Sequence, residues 1–260
     1  MNVKVKTMLA FDIDHTLTPS KEPVPKEIAK LLACALENFE ICIISGRSFN
    51  SFLSQVISRL PIKDAELFRH LHCLPAQGTQ YYRFEEGWEE VYAYFLNDDE
   101  ISKIFCIAEE AARKLGFWRE ENRENGDTIL DNRGSQITFA AIDTGSSNEE
   151  KRNWDPDHKK RKAMVEELKK LAPEFEYKIG GTTSIDITRP GMDKGFGMRT
   201  LLETLGIDKN DVLYFGDMTQ PGGNDYPIVQ MGIDTITVDE YTDTILVLKG
   251  VLGVLGFLGA

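Results

Sequence analysis

The sequence contains little cysteine, little histidine and no excess of positive charge. Its 260 residues include four cysteines and four histidines, and no two cysteines form a C-x-x-C pair. The sequence therefore offers no zinc framework, and Cys34 and Cys42, which fall in apolar stretches, are expected to be buried, reduced thiols. The chain has thirty Lys and Arg residues and 42 Asp and Glu residues, which gives a net charge of −12. Such a surface repels nucleic acid and anionic membranes, so neither is expected as a partner.

Long apolar runs are also missing. The most apolar stretch, residues 246–260, contains Lys249 and is shorter than the roughly 20 residues that a membrane-spanning helix needs. We expect a packed C-terminal helix there, with a surface-seeking or partner-binding tail as the alternative. The first residues lead directly into a strand-like segment without the features of a signal peptide, which predicts a cytoplasmic protein.

What the sequence does contain is the pattern of a parallel α/β core. With 42% hydrophobic and 28% charged residues, the chain can bury a large core. Short, continuous apolar runs predict strands buried on both faces, and amphipathic helices alternate with them. This order is typical of a parallel sheet with right-handed crossovers. The strands are expected at residues 8–12, 41–44, 71–74, 212–215 and 235–238, the helices at about 25–38, 49–60 and 194–205, and a hairpin near 81–88.

The middle of the chain has a different pattern. Residues 135–139 and 184–188 alternate apolar and polar side chains, which predicts antiparallel strands with one wetted face. Amphipathic helices are expected at about residues 99–115 and 156–171. The cationic run at residues 159–162 is interpreted as a solvated helix face. Together these elements predict an α+β module.

The two patterns predict an α/β protein with a Rossmann-like parallel-sheet core and an inserted α+β domain that carries an antiparallel sheet. The core is expected to comprise residues 1–85 and 189–260, and the insert residues 86–188. The core is thus interrupted in sequence although it is continuous in space.

Polar residues follow the predicted parallel strands, at the sheet edge where ligands bind in such folds. Asp12 and Asp14 come directly after the first strand. Two carboxylates this close repel each other in a half-buried site, and a divalent cation such as Mg²⁺ relieves the repulsion. A helix cap or a solvated turn is the alternative for such a pair. Further polar residues follow other strands or begin a helix: Ser45, Gly46, Arg47, Lys194, Asp217, Asn224 and Asp225. Their convergence predicts one site.

The segment FDIDHTLT at residues 11–18 resembles the first motif of the haloacid dehalogenase superfamily of phosphotransferases. Ser45, Lys194 and Asp217 stand where the second, third and fourth motifs of that superfamily would, so the resemblance spans essentially the whole chain. The insert is similar to the larger α/β cap of the group that includes sugar phosphatases and eukaryotic-type phosphomannomutase.

Two segments are closer to the mutase branch of that group. They are GDMTQPGGND at residues 216–225 and GGTTSID at residues 180–186. The glycine pair at 180–181 is equally well explained as a turn before a strand.

The resemblance implies a role for each residue of the core site. Asp12 would be the nucleophile that forms an aspartyl-phosphate, and Asp14 would be the general acid and base. The other catalytic group would be Lys194. Phosphate oxygens would be bound by Thr16, Ser45, Gly46 and Lys194. Mg²⁺ would be held by the Asp12 carboxylate, the Asp14 carbonyl oxygen and Asp217, with Asn224 and Asp225 in support.

The resemblance also implies a set of substrate-binding residues: Arg47, Arg133, Ser184 and Asp186. Arg133 has a surface charge as its alternative interpretation, and Ser184 and Asp186 have the polar side of a strand as theirs. His15 occupies a motif position where the superfamily usually has a small residue. Its imidazole is expected either to line the loop or to contact substrate.

Three functions remain open at this point. The first is a phosphatase for a sugar phosphate or a similar small phosphorylated metabolite. The second is a hexose phosphate mutase, which needs a cationic site for a second phosphate. Where the mutase family carries an arginine in an I-G-R tripeptide, this chain reads Ile142-Asp143-Thr144, and Arg152 is a loosely aligned alternative. We therefore favour the phosphatase. The third is a catalytically silent binding protein. A homodimer is expected by analogy alone.

Overall fold

The computed structural model describes residues 6–19, 22–118, 129–142 and 146–258. The chain divides into two compact units, one formed by Met1–Ala93 with Asp193–Ala260 and the other by Tyr94–Met192. The boundary expected after residue 85 falls inside a hairpin of the first unit, whose second strand ends at Ala93. The division therefore lies a few residues further along the chain than the sequence suggests.

The described residues form eleven strands and eight α-helices. The strands are β1 (Met8–Phe11), β2 (Glu40–Ile44), β3 (Leu71–Leu74), β4 (Gln80–Phe84), β5 (Trp88–Ala93), β6 (Leu130–Asn132), β7 (Ile137–Ala140), β8 (Glu176–Gly180), β9 (Ser184–Thr188), β10 (Val212–Gly216) and β11 (Asp234–Thr237). The helices are α1 (Lys26–Leu36), α2 (Phe49–Gln55), α3 (Asp98–Leu115), α4 (Asn148–Trp154), α5 (Lys159–Leu171), α6 (Lys194–Leu205), α7 (Tyr226–Gln230) and α8 (Tyr241–Val254).

The first unit contains a seven-stranded sheet in the order β11-β10-β1-β2-β3-β4-β5. Pairing from β11 to β3 is parallel throughout. Strand β4 pairs antiparallel with β3 and β5 and so forms the expected hairpin at one edge. The parallel core predicted from the buried strand runs is confirmed.

Strand β1 shows why a parallel strand is apolar along its whole length. Leu9 and Phe11 belong to a core cluster that includes residues of α1 and α8. Met8 and Ala10 belong to a second cluster, with residues of α6 and α7. Because side chains alternate across a strand, helices cover both faces of the sheet. The first polar side chain is therefore Asp12, where the strand ends.

The C-terminal helix α8 packs on this core. Leu248 and Leu252 are fully buried in the first cluster, which confirms the packed helix expected from the sequence. Leu246 and Val254 point away from it and are 70% and 89% exposed. Within the described ranges, no helix is both long and apolar enough to cross a membrane.

The second unit contains a four-stranded antiparallel sheet in the order β6-β7-β9-β8. One face carries Ile137, Phe139 and Ile185, which pack with residues of α3 and α5. The other face carries polar side chains such as Thr138 and Asp186. The antiparallel α+β module predicted from the alternating pattern is confirmed. The helix expected at residues 156–171 begins later, at Lys159, and a separate helix α4 precedes it.

The interpretation of residues 159–162 as a solvated face is wrong for Arg161. Its side chain is 1% exposed, and its Nε lies 2.8 Å from Asp155 Oδ2. Arg161 falls at the start of the buried stripe of α5, three, four and seven residues before Met164, Val165 and Leu168. Helical spacing could have placed it there, but a cation in an apolar stripe needs a buried partner that the local sequence does not reveal.

A polar network joins β2, β3 and β4 at the start of β2. Both oxygens of Glu40 lie 2.9 Å from an imidazole nitrogen, one from His70 and the other from His72. The buried His72 also lies 2.8 Å from the Tyr81 hydroxyl. The hydrogen bond with His72, helped by that with His70, lowers the pKa of Glu40 against the opposing effect of burial.

Substitution Glu40→Gln is expected to lower the free energy of unfolding by about 1 kcal/mol at pH 7, because the ionised acceptor of both imidazoles is lost. The folded-state pKa of Glu40 is lowered, so its contribution is present above the unfolded pKa and is lost as the pH falls below about 4. Urea unfolding at pH 7 and at acid pH measures both effects. The exposed Glu37→Gln is the control, and an equal loss there would contradict the assignment.

Candidate active site

The candidate site is built at the carboxyl ends of three neighbouring parallel strands. Phe11, the last residue of β1, pairs in register with Ile43 of β2 and Phe215 of β10. Asp12, Ser45 and Asp217 follow these strands at the same sheet edge. The convergence expected from the sequence is therefore present, because parallel strands end on the same side.

Lys194 lies at the centre of this site, in the first turn of α6. Its Nζ is 2.6 Å from Asp12 Oδ1 and 2.6 Å from Asp225 Oδ1, and its side chain is fully buried. Burial opposes the charged form, but Asp12 and Asp225 outweigh it and raise the pKa of Lys194. The ammonium group therefore remains charged inside the protein.

The carboxylates around Lys194 crowd one another. Burial raises the pKa of Asp12 to about 8, against the opposing effect of Lys194, and the charges of Asp225, Asp217 and Asp14 add to the increase. Burial and the charge of Asp225 likewise raise the pKa of Asp217 to about 7. One ammonium group is too little positive charge for three carboxylates, so the cluster holds a proton or attracts a cation.

The donor set of this cluster fits a divalent cation. Among the described residues, Asp12, Asp217 and Asp225 each offer a carboxylate oxygen within 4.8 Å of the others. The Oδ1 atom of Asn224 is buried without a hydrogen-bond partner. Hard oxygen donors of this kind suit Mg²⁺. Asp225 already accepts hydrogen bonds from Lys194 and, at 3.0 Å, from the Met218 amide. It therefore supports the arrangement of the site more than it serves as a ligand of the ion.

Two glycines of the segment at residues 216–225 are required by this packing. A Cβ atom on Gly216 would lie 2.5 Å from Asp225 Oδ2, and one on Gly223 would lie 2.0 Å from the Met218 carbonyl oxygen. Only glycine lets the end of β10 approach Asp225 this closely. The segment thus folds back on itself and places Asp225 beside Lys194.

Tyr214 is a site residue that the sequence interpretation missed. It lies in β10 among apolar residues, is fully buried, and its hydroxyl donates a hydrogen bond to Asp225 Oδ1. Its hydroxyl group within an otherwise apolar strand could have identified it from the sequence, because a buried tyrosine hydroxyl usually has a hydrogen-bond partner. Tyr214 helps to hold Asp225 in place for Lys194.

Asp14 is held by Arg47. The Arg47 side chain donates from Nη2 to Asp14 Oδ1 at 2.7 Å and from Nε to Asp14 Oδ2 at 3.2 Å. Its Nη2 also contacts the Thr18 hydroxyl at 3.1 Å, and its Nη1 contacts Gln55. The structure therefore brings Arg47, for which the resemblance implies substrate binding, to Asp14. Thr18 and Gln55 are further members that the sequence interpretation did not name.

The small polar residues lie in the loops after β1 and β2. Thr16 is buried and its hydroxyl has no hydrogen-bond partner. Ser45 is buried, with its hydroxyl 3.4 Å from the Arg47 amide, and Gly46 is the residue between them. Buried hydroxyls of this kind can donate to a bound oxyanion.

His15 adopts the left-handed backbone conformation, with φ of 61°. This conformation explains why a small residue suits the position, since a Cβ atom is strained there. The His15 Nδ1 atom lies 3.4 Å from Glu240 Oε2, and both side chains are partly exposed. The imidazole thus lines the loop through Glu240, and a contact with substrate stays a prediction.

The three cap residues expected to bind substrate lie in the second unit. Asp186 Oδ1 accepts a hydrogen bond from the Thr138 hydroxyl at 2.8 Å, and the Ser184 hydroxyl donates to the Gly180 carbonyl oxygen at 2.8 Å. Arg133 is paired with Asp131, with 2.8 Å between Nε and Oδ2. Ser184 and Asp186 lie on the polar face of the sheet but are only 8% and 5% exposed, so the solvated face expected from the alternating pattern is wrong for these two side chains, whose polar groups are satisfied by hydrogen bonds within the protein.

The fold and this arrangement are those of an α/β phosphotransferase or hydrolase. A buried carboxylate beside an ammonium group, an acidic cluster and buried hydroxyls at one sheet edge can neutralise and transfer a phosphoryl group. The family model for haloacid dehalogenase-like hydrolases matches residues 9–231, and the chain belongs to this family.

Relatives within this group are phosphomannomutases. The chain is 27% identical to the phosphomannomutase of Saccharomyces cerevisiae over 231 residues, which cover 86% of this chain and 85% of that protein. It is 27% identical to phosphomannomutase 2 of Dictyostelium discoideum, over 96% of this chain and 98% of that protein. Among solved structures, a Plasmodium falciparum IMP-nucleotidase matches with a TM-score of 0.69 and 18% identity, over 95% of this chain and 70% of that one, which shows a shared fold.

Substitution Lys194→Met is expected to lower the free energy of unfolding by about 3 kcal/mol, because Asp12 and Asp225 lose their buried counter-charge. The control is Arg199→Met, which removes an exposed cation from the same helix. Chemical denaturation of both variants measures the difference. Equal stabilities for the two variants would show that the ammonium group does not hold the site together.

Proposed function

We propose that the protein is a Mg²⁺-dependent phosphatase that acts on a sugar phosphate or a similar small phosphorylated metabolite through an aspartyl-phosphate on Asp12. The observation that carries this proposal is the buried Asp12 carboxylate, 2.6 Å from the Lys194 ammonium group and next to Asp217. The first unit is then the catalytic core, and the second unit is a cap that supplies substrate-binding residues.

The proposed reaction has two steps. Asp12 attacks phosphorus, the bond from phosphorus to the ester oxygen breaks, and Asp14 gives a proton to that oxygen. A water molecule then attacks the phosphorus of the aspartyl-phosphate while Asp14 takes its proton. The bond from phosphorus to the Asp12 oxygen breaks, which releases inorganic phosphate and returns the Asp12 carboxylate. Arg47 orients Asp14 through its two hydrogen bonds.

Charge on the transferred group is balanced by the surrounding residues. Lys194 and the hydroxyls of Thr16 and Ser45 would bind the non-bridging oxygens, with Gly46 in the same loop. The Asp12 carboxylate, the Asp14 carbonyl oxygen and Asp217 would hold Mg²⁺, supported by Asn224 and Asp225. When bound, the ion lowers the repulsion between the phosphate and the nucleophilic carboxylate.

The polar face of the β6-β7-β9-β8 sheet favours a phosphatase over a mutase. The strand register places Asp131, Thr138, Asp186 and Lys178 in one row across it. Arg133 is paired with Asp131.

Lys178 on the same face is also paired, with Nζ 3.3 Å from Glu176 Oε1. Asp131, Asp186 and Glu176 thus outnumber the cations Arg133 and Lys178 among the described residues of this face. A negatively charged face binds the hydroxyl groups of a substrate better than it binds a second phosphate. Asp143 and Thr144 lie outside the described residues, so the loss of an arginine there stays a sequence-based argument.

A hexose phosphate mutase like the phosphomannomutases is the second candidate. The similarity to phosphomannomutases along nearly the whole chain favours it, as does the segment at residues 216–225. A silent binding protein is disfavoured by the presence of nucleophile, acid, ammonium group and acidic cluster together. A cytoplasmic location and a homodimer stay predictions.

A panel of phosphosugars with Mg²⁺, assayed for both free phosphate and isomerised product, tests the proposal. Phosphate release without isomer is expected. Isomer formation stimulated by a hexose bisphosphate would establish the mutase instead, and neither product would favour the binding protein. Asp12→Asn is expected to abolish turnover while the protein stays folded. An Asp12→Asn variant that keeps most of the activity would overturn the assigned nucleophile.

Mg²⁺ is expected to raise the melting temperature more at pH 8 than at pH 6. Asp12 holds a proton in the folded state up to about pH 8, compared with about pH 4 when unfolded, so stability without the ion falls as the pH rises between these values. At pH 6 the ion has to displace that proton, whereas at pH 8, close to this pKa, a large share of the molecules already carries the ionised carboxylate. Thermal unfolding measures the shift, and an unchanged shift in Asp217→Asn would refute the ion site.

A further inference from the structure

The turn between β8 and β9 is closely fitted to the two cap residues that follow it. The Ser184 hydroxyl donates to the Gly180 carbonyl oxygen at 2.8 Å, and a Cβ atom on Gly180 would lie 3.0 Å from Asp186 Oδ2. Gly181 has a φ of +48°, which a residue with a Cβ rarely adopts. A shift of this turn would therefore move Ser184 and Asp186.

Arg161 of α5 holds this turn from the interior of the second unit. Its Nη1 donates to the carbonyl oxygens of Gly180, at 3.2 Å, and Gly181, at 2.7 Å. Its Nε donates to Asp155 Oδ2 at 2.8 Å, and its Nη2 to the Asp155 carbonyl oxygen at 3.3 Å. A single planar guanidinium thus connects the start of α5 to two consecutive peptides of the turn.

Asp155 fixes the orientation of that guanidinium. It is 2% exposed and accepts hydrogen bonds from the amides of Lys160 and Arg161 at 2.9 and 3.1 Å. Burial opposes its ionisation, but the hydrogen bond from the Arg161 side chain and those from the helix amides outweigh it and lower the pKa of Asp155. The charge of Arg161 is therefore already balanced, and its carbonyl contacts act as a geometric restraint.

The orientation of the turn follows from these carbonyl contacts. In a trans peptide the N–H group points opposite to the carbonyl group, and the chain has no cis peptide among its described residues. With both carbonyls directed at Arg161, the amides of Gly181 and Thr182 point away from it. The neighbouring Thr183 hydroxyl is buried without a hydrogen-bond partner.

We propose that Arg161 is a positioning residue that fixes the β8–β9 turn and, through it, the Ser184 and Asp186 side chains that bind substrate. The proposal rests on the proposed function for the role of those two side chains. A buried ion pair adds little net stability compared with apolar residues of the same volume, but it can specify one geometry. Lysine could not replace it, because an ammonium group lacks the planar fork that reaches Asp155 and both carbonyls together.

Arg161→Lys tests this role, because it keeps the charge beside Asp155 and loses the fork. The KM for the best phosphosugar of the panel is expected to rise roughly ten- to hundredfold, as for other displaced positioning groups. Hydrolysis of p-nitrophenyl phosphate, which carries no sugar hydroxyls, is expected to stay unchanged. Amide hydrogen exchange should become faster at Gly181–Ser184 and not in α3. Lys162→Met removes an exposed cation of α5 and is the matched control.

The outcomes separate this proposal from the proposed function. An unchanged KM, with or without faster exchange in the turn, would overturn the positioning role, and so would an equal loss with p-nitrophenyl phosphate. Asp155→Asn keeps the arginine but removes its ionised partner, and it should shift KM in the same direction if Arg161→Lys fails to fold. If the wild type releases phosphate from no phosphosugar, the proposed function fails, and the exchange measurement still decides whether Arg161 fixes the turn.

Discussion

The buried ammonium group of Lys194 is the interaction on which the rest of the site depends. It contacts carboxylates from two different parts of the chain, Asp12 after β1 and Asp225 before α7, at 2.6 Å each. Without it, the carboxyl ends of β1 and β10 would bring like charges together in a buried space. The negative charge that remains makes the same cluster suitable for a divalent cation and for phosphate chemistry in a protein of net charge −12.

Arg161 is a second buried cation, and it holds parts of the second unit together as Lys194 does in the first unit. Lys194 is held by the side chains of Asp12 and Asp225, whereas Arg161 mainly holds backbone carbonyls and has a single carboxylate partner. The difference follows from their chemistry, since an ammonium group is a point charge and a guanidinium is a directional fork. One cation therefore supports the carboxylates of the candidate site, and the other supports the shape of a turn.

Two lines of observation point to different members of the same family. The relatives are phosphomannomutases, and the GDMTQPGGND segment folds tightly around Asp225. Among the described residues, the polar face of the second unit carries paired cations and more carboxylates than cations, as at Asp131 and Asp186. Catalytic cores of one family serve several reactions, so the surface that contacts the rest of the substrate decides between them.

The sequence by itself determined the parallel core, the antiparallel insert and the residues at the strand ends. Hydrophobic periodicity and the succession of strands and helices along the chain can be followed directly in the sequence. It did not determine that Arg47 binds Asp14, that Tyr214 supports Asp225, or that Arg161 is buried. Each of these depends on a partner distant in sequence or on the far side of a turn. Only the tertiary structure decided those pairings, since a buried charge is placed by the partners that three-dimensional packing brings within hydrogen-bond distance.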